Sequence, residues 1–174
     1  MARQTASPSH TGASISSLAR VRILFVCLGN ICRSPTAEAV MRGLVAERGL
    51  ESEIEVESAG TGDWHVGYPP DERSVVAAAE RGVELTGEAR QVVRGDFDDF
   101  DLLIAMDCQN ERDILRLART DEDREKVRLL RFSADGELDV PDPYYGGEGG
   151  FAEVVEIVER CCRALLDEVA PTPR

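Results

Sequence analysis

A thiol and a guanidinium stand six positions apart in Cys27-Leu28-Gly29-Asn30-Ile31-Cys32-Arg33. A thiolate is a strong nucleophile, and a guanidinium forks onto two oxygens of a tetrahedral anion at once. The residues between them suit a tight loop. Gly29 supplies backbone freedom where the chain curls, and Asn30 tolerates left-handed geometry and can brace the loop through its side chain. Backbone N–H groups from Leu28 to Ser34 can turn inward as an anion nest. Ser34-Pro35 then opens a helical pattern, whose first turn adds unpaired N–H groups and the positive end of a dipole. The same dipoles and Arg33 favour thiolate over thiol, so the Cys27 pKa is expected well below the free value of ~8.5. Ser34 can donate a hydrogen bond to the sulfur. The chemistry this set allows is displacement at phosphorus inside a cup that stabilises the equatorial oxygens. Taken alone, the Cys-Arg spacing also fits a buried core thiol beside a surface arginine.

The flanking elements must hold this loop. Val21–Val26 is apolar on both faces, as in the centre of a parallel sheet. Residues 34–48 read as a helix, with Ser34 as its cap, Pro35 at the first helical position, and Ala37, Val40, Met41, Leu44 and Val45 as its inward stripe. Gly49 ends it. Glu53–Ser58 alternates strictly, which predicts an edge strand guarded by glutamates. Further helices are expected at about 71–81, 109–119 and 151–169, with strands at 101–106 and 127–130. Strands alternating with helices predict an α/β fold: a three-layer sandwich in which helices flank a four-stranded parallel sheet. Such sheets collect ligand loops at the carboxyl ends of their strands, where Cys27 falls.

The bulk composition limits the alternatives. The chain has 174 residues, 43% of them apolar, enough for one domain with a core. Its formal charge of -13 is the wrong sign for a general nucleic-acid binder, and it demands that any phosphate site be positive locally. Five cysteines, and no early apolar run long enough for a bilayer, predict a reducing, cytoplasmic setting without membrane insertion. Residues 1–19 read as a floppy extension, 20–170 as a single domain, and 171–174 as a frayed tail. Cysteine, histidine and carboxylate residues do not cluster at metal-ligand spacings, so neither a metal nor another cofactor is expected.

An aryl leaving group with a pKa of ~10 needs a proton donor. Asp142 is a candidate, aimed by Pro141 and Pro143. Asp63, Asp135 and Asp139 compete with it. Tyr144 and Tyr145 follow in a glycine-rich loop and can wall a slot for a flat ring or plug a satellite core. Trp64, in a polar loop, is open to the same two readings. Ile31 offers an aliphatic contact that suits an aromatic ring. Asp107 ends a strand on the ligand side, where it can align the fork of Arg33, cap a helix, or both. Cys161 and Cys162 lie on the apolar side of the last helix, and Cys108 has no evident role.

Cys27-Leu-Gly-Asn-Ile-Cys-Arg-Ser-Pro35 resembles the signature of the low-molecular-weight protein tyrosine phosphatases. The resemblance extends over about residues 21–169. It includes Ser58-Ala59-Gly60-Thr61, Asp63-Trp64-His65-Val66-Gly67, Ala89-Arg90-Gln91, Met106-Asp107, Asn110 and Asp142-Pro143-Tyr144-Tyr145-Gly146. It implies hydrolysis of phosphotyrosine in proteins, and of small aryl phosphates, through a phosphocysteine. Cys27 would be the nucleophile, Arg33 and the loop amides of Leu28, Gly29, Asn30, Ile31, Cys32 and Ser34 the phosphate site, and Asp142 the general acid. Inorganic phosphate would be product and competitive ligand.

By the same resemblance, Trp64 and Tyr144 stand at the mouth, Tyr144 and Tyr145 are targets for a tyrosine kinase, and Cys32 can form a protective reversible disulfide with Cys27. Asn30, Ser34 and Ser58 brace the loop from behind. Many relatives add a histidine to that brace, where this chain has Gly87. Members resembling arginine phosphatases carry a smaller hydroxyl residue in place of Ile31, so Ile31 favours phosphotyrosine. The rivals are a thioredoxin-coupled arsenate reductase of the same fold, which needs further redox cysteines, a protein arginine phosphatase, and a binder without catalysis. A nucleotide-binding reading fails for want of either glycine-rich phosphate pattern.

Overall fold

The computed structural model describes residues 20–131, 134, 137–147 and 149–170. The expected extension 1–19, the tail 171–174 and Asp135 lie outside them. Ten elements follow in order: β1 (Val21–Cys27), α1 (Arg33–Glu47), β2 (Ile54–Gly60), α2 (Glu72–Ala79), α3 (Asp96–Asp99), β3 (Leu102–Ala105), α4 (Cys108–Leu115), α5 (Asp121–Glu125), β4 (Val127–Leu129) and α6 (Gly150–Val169). The four strands form one sheet in the order β2-β1-β3-β4, and every pairing is parallel.

β1 is central because its side chains alternate between two dry layers. Ile23, Phe25 and Cys27 enter the core beneath α1 and α6. Leu24 and Val26 face the other way, onto Phe97, Phe100 and Ile114. Over Ile23–Cys27, where both faces are covered, the strand has no place for a charge, which explains the apolar run there; Arg22 lies at its less buried start. β2 is the edge strand, as its alternation predicts. Its outward glutamates are paired: Glu55 with Arg20 and Arg22, Glu57 with Arg90. A third apolar cluster lies under the loop after β1 and joins Ile31 and Cys32 to Ala77, Ala78, Leu85, Phe151 and Val155.

Several boundaries differ from the sequence expectation. α1 begins at Arg33 behind Cys32, which makes no side-chain cap, so Pro35 is the third helical residue. Ser34 does not cap the helix because its hydroxyl is turned to the cysteine sulfur. Gly49 does close the helix, at φ +67. α4 ends at Leu115, short of 119. The one-turn helices α3 and α5 have no apolar period to betray them. α5 is held by Thr120, whose Oγ1 accepts from Asp123 N at 3.1 Å.

Candidate active site

The loop after β1 is turned so that its carbonyls face neighbouring segments. Thr61 N donates to Cys27 O (2.8 Å), Gly62 N to Leu28 O (2.9 Å), Asp71 N to Ile31 O (2.8 Å) and Thr36 N to Cys32 O (3.3 Å). With those carbonyls committed, the N–H groups of Leu28, Gly29, Ile31, Cys32, Arg33 and Ser34 make no hydrogen bond among the described residues. Such a ring of donors at a helix N-terminus is an anion site. It lines a cleft of about 360 Å³ formed by Cys27, Leu28, Gly29, Ile31, Cys32 and Arg33 with Trp64, His65, Asp142, Tyr144 and Tyr145.

Cys27 lies at the floor, 3% exposed. Its Sγ is 3.0 Å from Ser34 Oγ and accepts from Asn30 N at 3.3 Å. Asn30 is the loop residue in left-handed backbone, at φ +56. This is the geometry expected of Asn30, and Gly29 makes room beside it, because a Cβ there would lie 2.9 Å from Cδ2 of His65.

A second layer holds the loop from behind. Asn30 Oδ1 accepts from Arg90 N (2.9 Å), which fixes the orientation of the amide. Its Nδ2 then donates to both Ser34 Oγ and Ser58 Oγ, each at 2.9 Å. Ser58 in turn donates to Glu38 Oε2 at 2.5 Å. Gly87, at φ +92, lines the same recess without a side chain. Glu38 closes the network there, one turn after Ser34 on α1. The single proton of Ser34 serves either Cys27 Sγ or Ala59 O, at 3.2 Å from the latter. A negative sulfur draws that proton to itself.

Arg33 is almost fully buried, at 2% exposure. Its Nη1 donates to Asp107 Oδ2 (2.6 Å) and Val140 O (3.0 Å), and its Nη2 to Asp142 Oδ2 (3.2 Å). Burial works against its charge, but Cys27, Asp107 and Asp142 together outweigh that and raise its pKa above the usual arginine range. Asp107 performs both roles expected of it, because Oδ1 accepts from Asn110 N at 2.7 Å and caps α4.

The loop bearing Asp142 is tied to the sheet through Val140 N, which donates to Met106 O at 2.7 Å. Asp142 Oδ1 accepts from Tyr144 N at 3.0 Å. Arg73 stacks on the rings of Tyr144 and Phe151, at 5.2 and 4.6 Å, and so joins α2 to this loop and α6. Tyr145 is 91% exposed and meets Tyr144 edge-on at 4.8 Å.

Cys27, Leu28, Gly29, Ile31, Cys32, Arg33, Trp64, Asp142, Tyr144 and Tyr145 thus share one cleft, with Asn30, Ser34, Ser58 and Asp107 behind it. Of the competing carboxylates, Asp63 and Asp139 do not line the cleft. Burial pushes the Cys32 thiol up to about 12. Cys161 and Cys162 are buried in the core, and Cys108 lies outside the cleft. Two residues were missed by sequence reasoning. His65 packs over Gly29 and beside Tyr144 (6.2 Å) and could have been suspected from its place next to Trp64. Glu38 could have been suspected from its helical spacing to Ser34.

A thiol cupped by free amides, with a buried arginine and a carboxylate on one rim, defines a cysteine-dependent phosphatase on a parallel α/β sheet. Comparison with known proteins narrows this. Residues 22–172 match the family described as low molecular weight phosphotyrosine protein phosphatase. A low molecular weight protein-tyrosine-phosphatase of Streptomyces coelicolor is 49% identical over 152 residues, covering 85% of this chain and 93% of the relative. The crystal structure of YfkJ from Bacillus subtilis superposes with a TM-score of 0.81 at 42% identity, covering 87% of this chain and 95% of that one. That of a protein tyrosine phosphatase from Entamoeba histolytica, with Hepes in its active site, gives 0.82 at 38% identity, covering 86% and 96%. The chain belongs to the low molecular weight phosphotyrosine protein phosphatase family, and its chemistry is phosphotyrosine hydrolysis through a phosphocysteine.

Proposed function

We propose that Cys27, Arg33 and Asp142 divide this reaction among them. Cys27 Sγ attacks phosphorus as the bond to the tyrosyl oxygen breaks. Protonated Asp142 gives its proton to that oxygen, and tyrosine leaves. Asp142, now a carboxylate, takes a proton from the incoming water, which attacks phosphorus and expels the thiolate. Arg33 and the loop amides hold the three equatorial oxygens in both steps. Arg33 Nη2 donates to Asp142 Oδ2 at 3.2 Å. A phosphate monoester binding as its monoanion competes for that N–H, and the freed Asp142 carboxylate takes up the monoanion's proton before it turns to the leaving oxygen.

The observation that carries this reading is the sulfur at the cleft floor, 3.0 Å from a hydroxyl and 3.3 Å from a backbone donor, with Arg33 and Asp142 on the same wall. The aryl slot between Trp64, Ile31 and Tyr144 supports phosphotyrosine over phosphoarginine, and no cysteine beyond Cys27 and Cys32 lines the cleft among the described residues, unlike an arsenate-reducing relay. Phosphotyrosine proteins are the substrates, inorganic phosphate is product and competitor, and exposed Tyr145 is open to a kinase. A reducing, cytoplasmic setting suits a free Cys27. The test is acid quench after mixing with a phosphotyrosine peptide. A phosphate on Cys27 is expected, and Cys27→Ser should bind phosphate without turnover. Turnover by that variant at the native rate would remove Cys27 from the mechanism.

A further inference from the structure

Trp64 is the sole tryptophan and is 67% exposed, yet it walls the cleft. A side chain so exposed normally samples several rotamers. Gly62 is what limits it. A Cβ on Gly62 would lie 1.7 Å from Cζ3, 2.1 Å from Cε3 and 2.8 Å from Cη2 of Trp64, and these are the nearest atoms it would meet. The six-membered ring of the indole therefore rests against the α-carbon of Gly62. Backbone conformation does not demand glycine here, since the positive-φ glycines among the described residues are Gly49, Gly67, Gly82 and Gly87. Gly62 is also fastened to the catalytic loop: its N–H donates to Leu28 O (2.9 Å), beside the bond from Thr61 N to Cys27 O (2.8 Å). The indole is thus referenced to the phosphate loop through two backbone bonds rather than through side-chain packing.

We propose that Gly62 is a specificity-determining positioning residue: it seats Trp64 as one wall of the substrate slot and thereby sets the preference for aryl over non-aryl phosphates. The proposal rests on the reading of the cleft given above. A methyl at residue 62 displaces the indole and leaves the phosphate site in place.

The experiment compares wild type, Gly62→Ala, Trp64→Ala and the double variant on phosphotyrosine and on acetyl phosphate, which has no ring. Inorganic phosphate inhibition monitors the loop, and acrylamide quenching of the single tryptophan monitors the indole. Gly62→Ala is expected to lower kcat/KM for phosphotyrosine about 3- to 10-fold, the range of an aromatic contact, and mainly through KM. Acetyl phosphate turnover and phosphate inhibition should stay within about 2-fold, and quenching should rise. In the Trp64→Ala background the same methyl should cost nothing further. An unchanged aryl preference overturns the proposal. So does an equal loss on both substrates and phosphate, or a full Gly62→Ala penalty without Trp64. Failure of wild type to form phosphocysteine would instead sink the underlying catalytic reading.

Discussion

Asp107 offers the sharpest separation of structural from catalytic effects, because its two oxygens do different work. Oδ1 accepts from Asn110 N at 2.7 Å and caps α4, while Oδ2 accepts from Arg33 Nη1 at 2.6 Å. Asp107→Asn preserves a good helix cap but removes the charge facing the guanidinium. A charge-assisted hydrogen bond contributes about 1.5–3 kcal/mol. The Asp107 side chain is 20% exposed, and Arg33 Nη1 keeps Val140 O at 3.0 Å, so the lower end applies. A loss of about 1.4 kcal/mol is tenfold. Asp107→Asn should therefore weaken phosphate inhibition and lower kcat/KM for an aryl phosphate by about tenfold, with little change in the urea midpoint beyond the ion pair itself. Asp107→Ala adds loss of the cap, about 1 kcal/mol, which appears in urea unfolding rather than in phosphate affinity. Steady-state kinetics, phosphate inhibition and urea melts on both variants decide the matter. Native phosphate affinity and kcat/KM in Asp107→Asn would reduce Asp107 to a helix cap. Tighter phosphate binding would mean that Asp107 restrains Arg33 by competing for it.

Two further outcomes follow from the geometry. Asp142→Asn should slow phosphotyrosine hydrolysis by about 10²- to 10⁴-fold and activated aryl esters far less, so that log kcat falls more steeply with leaving-group pKa; an unaltered slope would exclude Asp142 as the acid. Alkaline pH should destabilise the fold through its buried thiols. Burial raises Cys32 from 9.0 to about 12 and raises the fully buried Cys162 as well. The folded state keeps these protons longer than the unfolded chain, so the stabilisation is complete below pH 9.0 and is lost as pH climbs toward about 12, at about 1.4 kcal/mol per pH unit per thiol. Urea unfolding from about pH 8 to about pH 10.5 checks this, and Cys162→Ala should flatten the slope. An identical slope in that variant would rule out the thiol as its source.

Much of the molecule was legible without coordinates because its determinants are local. The doubly apolar β1 and the alternating β2 each report how many of their faces are dry. The 3.6-residue stripe of α6 reports the side it buries against α1 and, at Phe151 and Val155, against α2. The loop chemistry was readable because a thiol, an αL-tolerant asparagine and an arginine must fall at fixed offsets to close around one anion. Errors arose where a residue had two local uses. Ser34 is a competent cap by type, but the sulfur 3.0 Å away captured its hydroxyl. Asn30 holds the left-handed conformation its type allows, while the room Gly29 gives to His65 was invisible because the two meet only in the fold.

The amino-acid sequence by itself determined the order of the strands and of the longer helices, and the placement of Cys27 and Arg33 at the carboxyl end of a buried strand, since hydrophobic period and motif spacing are written residue by residue. Only the tertiary structure decided that Asp142 joins Asp107 on Arg33, that Glu38 accepts from Ser58 behind the loop, and that Trp64 rests on Gly62. Asp142 lies 109 positions from Arg33 along the chain and within 3.2 Å of it in space. That proximity is set by β3 and the Val140–Met106 bond packing the acid loop against the sheet, and no local pattern encodes it.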